Sequence, residues 1–309
     1  MLNPEKFISL CPADLHQNIA LSRPLSSMTT LQIGGEAALV CEVRTPEEAR
    51  RFQDICHKFQ ESTYILGAGS NILADDAGYP GPILHIATQN FDVQSDTICA
   101  GAGLDFDDLI VRSLGAGLSG LEFASGIPGT LGGALVGNAG CYGHEIGEFL
   151  VDALILRQDG TLERTGPQEF GFAYRQTALR ESGDIVLEAT LRLQRGNVDA
   201  AAAVRAEKIA DRRFKHPVNL PSAGSWFRNL PPEFPGGRRR PAGHLLELVG
   251  AKEMHEGDAR VFSGHANMIV NAGGATSEQV RTLASRMRRA VQEKFGVELV
   301  EEVRYLPAT

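Results

Sequence analysis

The spacing of apolar residues predicts an amphipathic helix in the segment TPEEARRFQDICHKFQ. Thr45 is placed as the N-cap, Pro46 takes the first helical position, and Glu48 completes a capping box. The apolar face of this helix consists of Ala49, Phe52, Cys56 and Phe59. These signals agree with one another, so the sequence predicts a helix packed on a core through this face.

A second helix is predicted near the C-terminus in TSEQVRTLASRMRRAVQEKFG. Thr276 and Gln279 form a capping box, and Gly296 ends the helix. Its apolar stripe consists of Val280, Leu283, Met287, Val291 and Phe295. The segments FDDLIVRSL and AAAVRAEKIADRRF predict two further helices.

Short β-rich runs separate these helices and predict strands. They are AALVCEV (37–43), TYIL (63–66), PILHIA (82–87), VDALILR (151–157), DIVLEATLRL (184–193), NMIVN (267–271) and VEEVRYL (300–306). A strand–helix–strand start followed by a strand-rich middle favours an α+β fold with mixed sheets over one doubly wound sheet. A break near Gln194–Val198 is the predicted boundary before a C-terminal domain.

Composition and charge narrow the class of protein. The chain has 309 residues, of which 43% are hydrophobic and 22% charged, as expected for a globular protein of two or three domains. A formal net charge of −8 argues against nucleic acid as the main partner. Two local basic stretches, RRFK and GRRRP, are either solvated loops or contacts for a small anionic ligand.

The cysteines and the N-terminus indicate the compartment. The five cysteines are widely spaced and contain no CxxC, so neither a disulfide framework nor a metal site is expected. The N-terminal stretch carries charges and a proline where a signal peptide needs an apolar run, and we see no membrane-spanning stretch. The sequence therefore predicts a cytoplasmic protein without a membrane partner.

Glycine is concentrated between Gly115 and Gly147, where it alternates with apolar residues. A flexible linker would carry serine and other polar residues instead, so we expect a tightly turned backbone whose N–H groups can face phosphate oxygens. A second glycine-rich loop, LGAGSNIL (66–73), follows the TYIL strand. That loop is a weak signal alone, because it satisfies neither the Rossmann fingerprint nor the GK[ST] motif.

Together, TLQIGGEA (30–37), LGAGSNIL and GLSGLEFASGIPGTLGGALVGNAGCYG (117–143) resemble the flavin-binding domain of the UDP-N-acetylenolpyruvoylglucosamine reductase family. The resemblance implies an α+β fold with a vanillyl-alcohol-oxidase-type (PCMH-like) FAD-binding domain of two α/β subdomains and a C-terminal α/β substrate-binding domain. The implied ranges are residues 1–85, completed by about 300–309, then 86–197 and 198–299. The family usually has Asn-Thr where this chain has Thr29-Thr30, a change from which we expect little consequence.

The resemblance also implies which residues contact a non-covalent FAD, with NADPH as co-substrate. From the first loop they are Gly67, Ala68, Gly69, Ser70 and Asn71. From the second they are Gly126, Pro128, Gly129, Thr130, Gly133, Ala134, Asn138, Gly140 and Tyr142. Cys141 is interpreted as a small buried thiol rather than a site of covalent flavin attachment.

Three further motifs resemble the catalytic stretches of that family: FAYRQTALR, KHPVNLPSAGSWFRN and VELVEEVRYL. They imply Arg175, Ser225 and Glu302 as catalytic residues, and the implied ligands of the substrate are Tyr174, Lys215 and Asn229. Arginine suits a carboxylate that gains charge, and a positioned serine can donate a proton. The implied reaction is the NADPH-dependent reduction of UDP-N-acetylglucosamine enolpyruvate to UDP-N-acetylmuramate for peptidoglycan.

Other interpretations stay open at this stage. Outside the motif context, a serine in a Gly/Ala turn, an Arg in a Tyr-Arg pair and a Glu in a strand would be ordinary turn and surface residues. The whole chain could be an FAD-dependent alcohol or sugar oxidase, or a non-catalytic binder of flavin or nucleotide sugar. His265 is expected to hold a loop, and the GGRRRP segment receives no role. With no tyrosine between Tyr174 and Tyr305, the chain resembles the shorter members of the family, which lack a tyrosine-bearing lid over the substrate. We expect a monomer with a small-molecule substrate.

Overall fold

The computed structural model describes residues 4–234 and 236–307. The α-helices are α1 (Pro4–Leu10), α2 (Ala13–His16), α3 (Pro46–Lys58), α4 (Phe106–Gly115), α5 (Leu131–Val136), α6 (Pro167–Phe170), α7 (Leu179–Ser182), α8 (Val198–Lys215), α9 (Ala242–Leu248) and α10 (Ser277–Phe295). The strands are β1 (Ile19–Pro24), β2 (Glu36–Val43), β3 (Tyr64–Leu66), β4 (Ile72–Ala74), β5 (Tyr79–Ile86), β6 (Phe91–Gln94), β7 (Thr97–Gly101), β8 (Leu118–Ser119), β9 (Gly140–Cys141), β10 (His144–Glu145), β11 (Leu150–Leu156), β12 (Leu162–Thr165), β13 (Ile185–Arg192), β14 (Gln194–Arg195), β15 (Ser222–Ser225), β16 (His255–Glu256), β17 (Ala259–Val261), β18 (Met268–Asn271) and β19 (Arg304–Leu306).

The predicted helix ends are confirmed with one difference. At α10 both halves of the capping box form between Thr276 and Gln279, and Gly296 ends the helix in the left-handed conformation with φ 66°. At α3 the Thr45 hydroxyl accepts the N–H of Glu48 as expected. The Glu48 carboxylate, however, accepts the N–H of Arg44 rather than that of Thr45. The Glu48 carboxylate thus accepts a hydrogen bond from the residue before the N-cap, and only the Thr45 half of the predicted capping box forms.

The predicted strand over 300–306 is wrong for its first half, since β19 comprises only Arg304–Leu306. Before β19, Glu301 forms an isolated antiparallel bridge with Phe227. The N–H of Glu302 donates to the carbonyl of Trp226 at 2.7 Å. Glu301 and Glu302 thus pair with the irregular segment that contains Trp226 and Phe227, instead of joining a regular sheet ladder. The other predicted strands are present, with ends that differ by a few residues.

Contacts divide the chain into two compact units. The first comprises residues 1–23, 37–68 and 80–211, and the second comprises 24–36, 69–79 and 212–309. Helix α8 therefore begins in the first unit, beyond the break that the sequence suggested near Gln194–Val198. The division into three parts remains a prediction, and its outermost positions, residues 1–3 and 308–309, lie outside the described residues.

The first unit contains two larger sheets. One has the strand order β1-β2-β5-β3, and the other is antiparallel with the order β12-β11-β13-β7-β6. Helices α3 and α5 pack on this second sheet, and one continuous cluster of buried apolar side chains fills the unit. The fold class predicted from sequence, α+β with mixed sheets, is confirmed.

The buried thiols of the first unit contribute to its core rather than to chemistry. Cys11, Cys41 and Cys56 are free and buried, and burial raises the pKa of Cys11 to about 11 and that of Cys56 to about 12. Thiols held this firmly in the protonated form are poor nucleophiles. Across residues 4–234 and 236–307, His, Cys, Asp and Glu side chains form no group of three that could hold a metal ion.

The second unit is built on the antiparallel sheet β15-β18-β17-β16 and the parallel pair β4–β19. Helix α10 packs on this sheet and buries most of the predicted stripe, while Phe295 stays partly buried. Its N-terminus is held by Asp76, whose carboxylate accepts both the N–H and the hydroxyl of Ser277. Within the described part of the chain, no helix has the length and apolar composition needed to span a bilayer.

We expect Thr276→Ala to destabilise the protein by about 1 kcal/mol, because the exposed N–H of Gln279 loses its side-chain acceptor. Urea denaturation of the wild type and the variant would measure the change. Thr276→Ser keeps the hydroxyl and should remain within ~0.5 kcal/mol of the wild type. Equal losses in both variants would contradict the capping role.

Candidate active site

The second glycine-rich loop lies close to the backbone that precedes and begins α4. The N–H of Phe106 donates to the carbonyl of Gly129, and the N–H of Leu131 donates to that of Leu104. The N–H of Gly132 donates to the carbonyl of Ala102, and a Cβ on Gly132 would lie 2.9 Å from the Ala102 Cβ. Glycine is thus needed here for close backbone packing, which agrees with the rejection of a flexible linker.

A cavity of about 260 Å³ lies in the first unit beside this loop. It is lined by Ala68, His85, Ile86, Ala87, Gln89, Gly103, Asp105 and Thr130. Ala68 and Thr130 were predicted as cofactor contacts from different loops, and the structure brings them to the same cavity. A Cβ on Gly67 would lie 2.6 Å from the Thr130 hydroxyl oxygen, so the first loop approaches Thr130 closely.

Several lining residues were missed by the sequence reasoning. A Cβ on Gly103 would lie 2.6 Å from the carbonyl oxygen of Ile86, so β5 and the turn after β7 touch through their backbones. The side-chain amide of Gln89 then donates to the Gly103 carbonyl at 2.8 Å. The short AGAGL run (100–104) carried this signal, because glycine after a strand often marks a close backbone approach.

The cavity carries little positive charge. Burial lowers the pKa of His85 below its ordinary value, so the imidazole is neutral at pH 7. The Asp105 carboxylate already accepts the N–H of Asp108 as the N-cap of α4. Next to the loop, the hydroxyl of Ser125 is fully buried and finds no hydrogen-bond partner among the described residues. Such an orphaned buried group is satisfied when a ligand or water supplies the missing partner.

The predicted loop contacts can now be placed atom by atom. Pro128 and Gly133 are exposed, so the loop surface is accessible to a ligand. The N–H of Gly126 donates to the Asp107 carboxylate, that of Gly133 to the Thr130 hydroxyl, and that of Ala134 to the Thr130 carbonyl. The N–H groups of the two glycines, Gly126 and Gly133, are thus bonded within the protein, and so is that of Ala134.

Asn138 uses its side chain inside the protein. It is fully buried with φ 44°, and its amide donates to the Glu145 carboxylate and to the carbonyl of Ala173. Its side-chain oxygen accepts the N–H of Gly147 at 3.2 Å. The backbone N–H of Asn138 also donates within the protein, to the carbonyl of Leu135, and the predicted contact of Asn138 with FAD stays a prediction.

The tip of the β9–β10 hairpin packs on helix α8. The Tyr142 hydroxyl donates to the Asp211 carboxylate at 2.7 Å, and the Lys208 ammonium lies 4.2 Å from the Tyr142 ring centroid. Cys141, interpreted from sequence as a buried thiol, is only partly buried. The predicted FAD contact of Tyr142 stays a prediction.

Arg175 lies in a tight turn with a left-handed backbone, φ 56°. Ala173 and Gln176 exchange backbone hydrogen bonds of 3.0 Å across this turn. The Arg175 guanidinium donates to the carbonyl of Gly140 at 2.9 Å and lies 5.5 Å from the ring of Tyr174. The predicted catalytic residue Arg175 is thus bonded to the second glycine-rich loop, and the predicted substrate ligand Tyr174 lies beside it.

In the second unit, the first glycine-rich loop is held by Thr30. The Gly69 carbonyl accepts the N–H of Thr30, and a Cβ on Gly69 would lie 2.2 Å from the carbonyl oxygen of Met28. The Thr30 hydroxyl donates to the carbonyl of Ser222 at 2.7 Å, at the start of β15. Thr30 therefore links the first loop to the strand that carries Ser225.

Ser225 and Glu302 lie on neighbouring backbone segments of the second unit. The N–H of Glu302 donates to the carbonyl of Trp226, the residue after Ser225. The side chain of Asn267 pairs with both backbone groups of Phe227. Asn71, a predicted FAD contact, donates from its side chain to the carbonyl of Glu302 at 3.1 Å. The second unit thus gathers two predicted catalytic residues beside the first loop.

The predicted diphosphate ligands lie elsewhere in the second unit. Lys215 is exposed at the end of α8. The side-chain oxygen of Asn229 accepts the N–H of Ala242, and the Arg239 guanidinium donates weakly to the Asn229 carbonyl at 3.4 Å. His265 accepts the N–H of Asn267 on Nδ1, as expected for a residue that holds a loop. Burial lowers the pKa of His265, which suits this acceptor role.

Two family models match the chain. Residues 37–166 match an FAD binding domain, and residues 216–306 match the C-terminal domain of UDP-N-acetylenolpyruvoylglucosamine reductase. A Symbiobacterium thermophilum protein described as UDP-N-acetylenolpyruvoylglucosamine reductase 2 is 37% identical over 93% of this chain and 91% of its own. The chain belongs to the UDP-N-acetylenolpyruvoylglucosamine reductase family. A Listeria monocytogenes reductase of the same description is 39% identical over 94% of this chain and 96% of its own.

Solved structures agree with this family. The UDP-N-acetylenolpyruvylglucosamine reductase of Thermus caldophilus superposes with a TM-score of 0.77 at 33% identity, covering 93% of this chain and 97% of its own. A BBE-like protein of Physcomitrella patens matches with a TM-score of 0.50 at 14% identity, over 62% of this chain and 44% of its own. This second likeness shows the fold alone, and the predicted vanillyl-alcohol-oxidase-type FAD-binding fold is confirmed.

We expect Gly69→Ala to lose bound FAD, because the new Cβ would collide with the Met28 carbonyl and the φ of 62° disfavours L residues. The ratio of flavin absorbance to protein absorbance after purification measures the loss. Gly115→Ala is the matched control, since no atom beyond its chain neighbours and the backbone of its own helix lies within 4 Å of its Cβ position. Full flavin content in Gly69→Ala would contradict the close approach at this loop.

Proposed function

We propose that this protein reduces UDP-N-acetylglucosamine enolpyruvate to UDP-N-acetylmuramate, with NADPH as reductant and bound FAD, in the synthesis of peptidoglycan precursors. The observation that carries the proposal is the backbone pairing that holds Glu302 beside the Ser225–Trp226 segment, next to the first glycine-rich loop. A group that acts on the substrate carboxylate and a proton donor are what this chemistry needs together.

The residues present fit an FAD. The cavity between Ala68 and Thr130 is smaller than the ~300–1,000 Å³ of typical ligand pockets, so it suits part of a dinucleotide, with the exposed loop surfaces covering the rest. The buried Ser125 hydroxyl supplies a polar contact at the edge of the loop. Bound FAD supplies the carrier that accepts a hydride from NADPH and passes it to the substrate.

Arg175 is the proposed stabiliser of the developing charge. Hydride addition at C3 of the enolpyruvyl group pushes an electron pair through C2 towards the carboxylate. A guanidinium stays positive at all working pH values and can bind both carboxylate oxygens. Loss of one such preorganised group typically costs ~3 kcal/mol of barrier. Glu302 is proposed to act on the same group of the substrate as the protonated acid, whose O–H donates to the substrate carboxylate, because two ionised carboxylates would repel each other.

Ser225 is the proposed proton donor to C2, which completes the reduction of the double bond. The two residues that follow Ser225 are held in place, Trp226 by the backbone N–H of Glu302 and Phe227 by the side chain of Asn267. Rigid placement matters because a positioned proton donor contributes about 10²–10⁴ in rate only within hydrogen-bond reach. Lys215 and Asn229 are proposed ligands of the diphosphate, and Tyr174 a further ligand of the substrate.

The protein is proposed to act as a cytoplasmic monomer on this small molecule, without nucleic acid or membrane as partner. An oxidase of the wider FAD fold is the second candidate, but the likeness to the Physcomitrella patens protein extends only to the fold. A non-catalytic binder is disfavoured because Arg175, Ser225 and Glu302 are all present.

An anaerobic absorption experiment tests the function. The purified protein should show flavin bands that bleach with NADPH and return when UDP-N-acetylglucosamine enolpyruvate is added. Bands that return only on admission of air would favour the oxidase. Flavin bands that never form, even with FAD supplied, would overturn both proposals.

We expect Ser225→Ala to keep its FAD and its rate of flavin reduction by NADPH, and to lose product formation by about 10²–10⁴-fold, because C2 has no proton donor. Chromatographic detection of UDP-N-acetylmuramate measures the loss. Ser119→Ala, which removes a hydroxyl bonded to the Gln194 carbonyl in the first unit, is the control and should turn over normally. Turnover of Ser225→Ala close to wild type would remove Ser225 from the donor role.

A further inference from the structure

The turn that carries Arg175 has an unfavourable backbone. We call residues 173–177 the arginine turn. Arg175 adopts φ 56°, a left-handed conformation that is unfavourable for an L residue other than Asn or Asp. Such strain persists only where the surroundings hold it in place, and it concentrates at functional sites. The surroundings of the arginine turn therefore show what holds the guanidinium.

Two side chains tie the arginine turn to the second glycine-rich loop. The Thr177 hydroxyl is buried and donates to the carbonyl of Val136 at 2.7 Å. The Asn138 amide donates to the carbonyl of Ala173 at 3.0 Å. These bonds reach opposite ends of the turn, so together they fix its register along the loop.

Separate hydrogen bonds hold the side chain and the backbone of Arg175. Its guanidinium donates to the carbonyl of Gly140, which belongs to the same loop. The guanidinium of Arg180, from α7, donates to the backbone carbonyl of Arg175 at 3.0 Å. That bond stabilises the peptide orientation that follows a left-handed residue. The Arg175 backbone and side chain are thus oriented by different neighbours.

We propose that Thr177, Asn138 and Arg180 are positioning residues that place the Arg175 guanidinium for the substrate carboxylate. The inference rests on the proposed function of Arg175. It also gives Asn138 a role other than the cofactor contact implied by the motif resemblance. Because the Thr177 and Asn138 bonds join the arginine turn to the glycine-rich loop, the loop and the turn keep one geometry, and a change at either displaces the other.

Misplacement of the Arg175 guanidinium is expected to affect the two half-reactions differently. Reduction of the flavin by NADPH does not involve the substrate carboxylate, whereas reoxidation by the enolpyruvate does. A displaced guanidinium slows only the second step. A general loss of structure would weaken cofactor retention and both steps together.

Thr177→Val removes the hydroxyl at nearly constant volume and is the first variant to test. We expect reoxidation of the NADPH-reduced protein by UDP-N-acetylglucosamine enolpyruvate to slow by about tenfold, while reduction by NADPH stays within about twofold. Thr177→Ser, which keeps the hydroxyl, should restore most of the rate. Thr190→Val is the matched control, because it removes a threonine bond to Asp152 in the sheet of the same unit.

A second variant does not depend on a buried site. Arg180→Met keeps the apolar stem of a partly buried side chain and removes the donor to the Arg175 carbonyl. It should show the same selective slowing, and Arg180→Lys should recover only part of the rate because an ammonium lacks the planar fork. In an Arg175→Ala background, both Thr177→Val and Arg180→Met should add less than twofold.

The exchange rates of backbone amide hydrogens measure the stability of the arginine turn in the absence of turnover. In Thr177→Val, the backbone amides of residues 173–178 should exchange faster than in the wild type, while those of α10 stay unchanged. Unaltered exchange in the turn, equal slowing of both half-reactions, or an undiminished effect in the Arg175→Ala background would overturn the proposal. Wild-type protein that is never reoxidised by the enolpyruvate would instead contradict the proposed function, and the exchange result would still report on the turn.

Discussion

Close approach between backbone segments is the constraint on which the candidate site depends. At Gly69, Gly103 and Gly132, a Cβ would lie within 3 Å of an atom in a neighbouring segment. Only glycine allows such approach without displacement of the chain. The loops that result are compact and bonded along their length, so they offer fixed carbonyl groups to the side chains around them. The glycine content therefore creates rigidity, although each glycine alone loses more conformational freedom on folding than other residues.

The same arrangement occurs independently in the two units. In the first, Thr177 and Asn138 connect the second loop to the turn of Arg175. In the second, Thr30 connects the first loop to β15, and Asn71 connects it to Glu302. In each case a short polar side chain connects a glycine-rich loop to a segment that carries a proposed catalytic residue. Each unit thus holds its own proposed catalytic segment against its own glycine-rich segment.

Much of this could be predicted from sequence, for reasons that are local. Capping residues and an apolar stripe predict helices α3 and α10, and most strands are continuous apolar runs. The glycine-rich loops were identified by composition and by their resemblance to a flavoenzyme family. The interpretation failed where long-range pairing decides the conformation. Residues 300–303 have strand-like composition, but they pair with the irregular segment after β15.

The role of particular atoms could not be predicted at all. Nothing in the order of residues shows that Asn138 directs its amide to Ala173, or that the N–H of Gly126 is already bonded to Asp107. These contacts join positions 19 to 35 residues apart. Gln89 in the cavity wall was missed for the same reason, whereas Gly103 could have been found from the AGAGL run that contains it. A motif indicates which residues gather, while the hydrogen-bond partners decide what each of them does.

The bonds between the arginine turn and the second loop also determine which segments can be exchanged between relatives. Residues 136–140 and 173–177 are separated in the chain but are joined by three hydrogen bonds, in each of which one segment supplies the donor and the other the acceptor. A chimera that takes one segment from a distant relative and leaves the other would join donors to carbonyls of a different geometry. Substitutions in the two segments should accordingly be accepted in pairs, and a neutral change in one can become harmful when the other is restored.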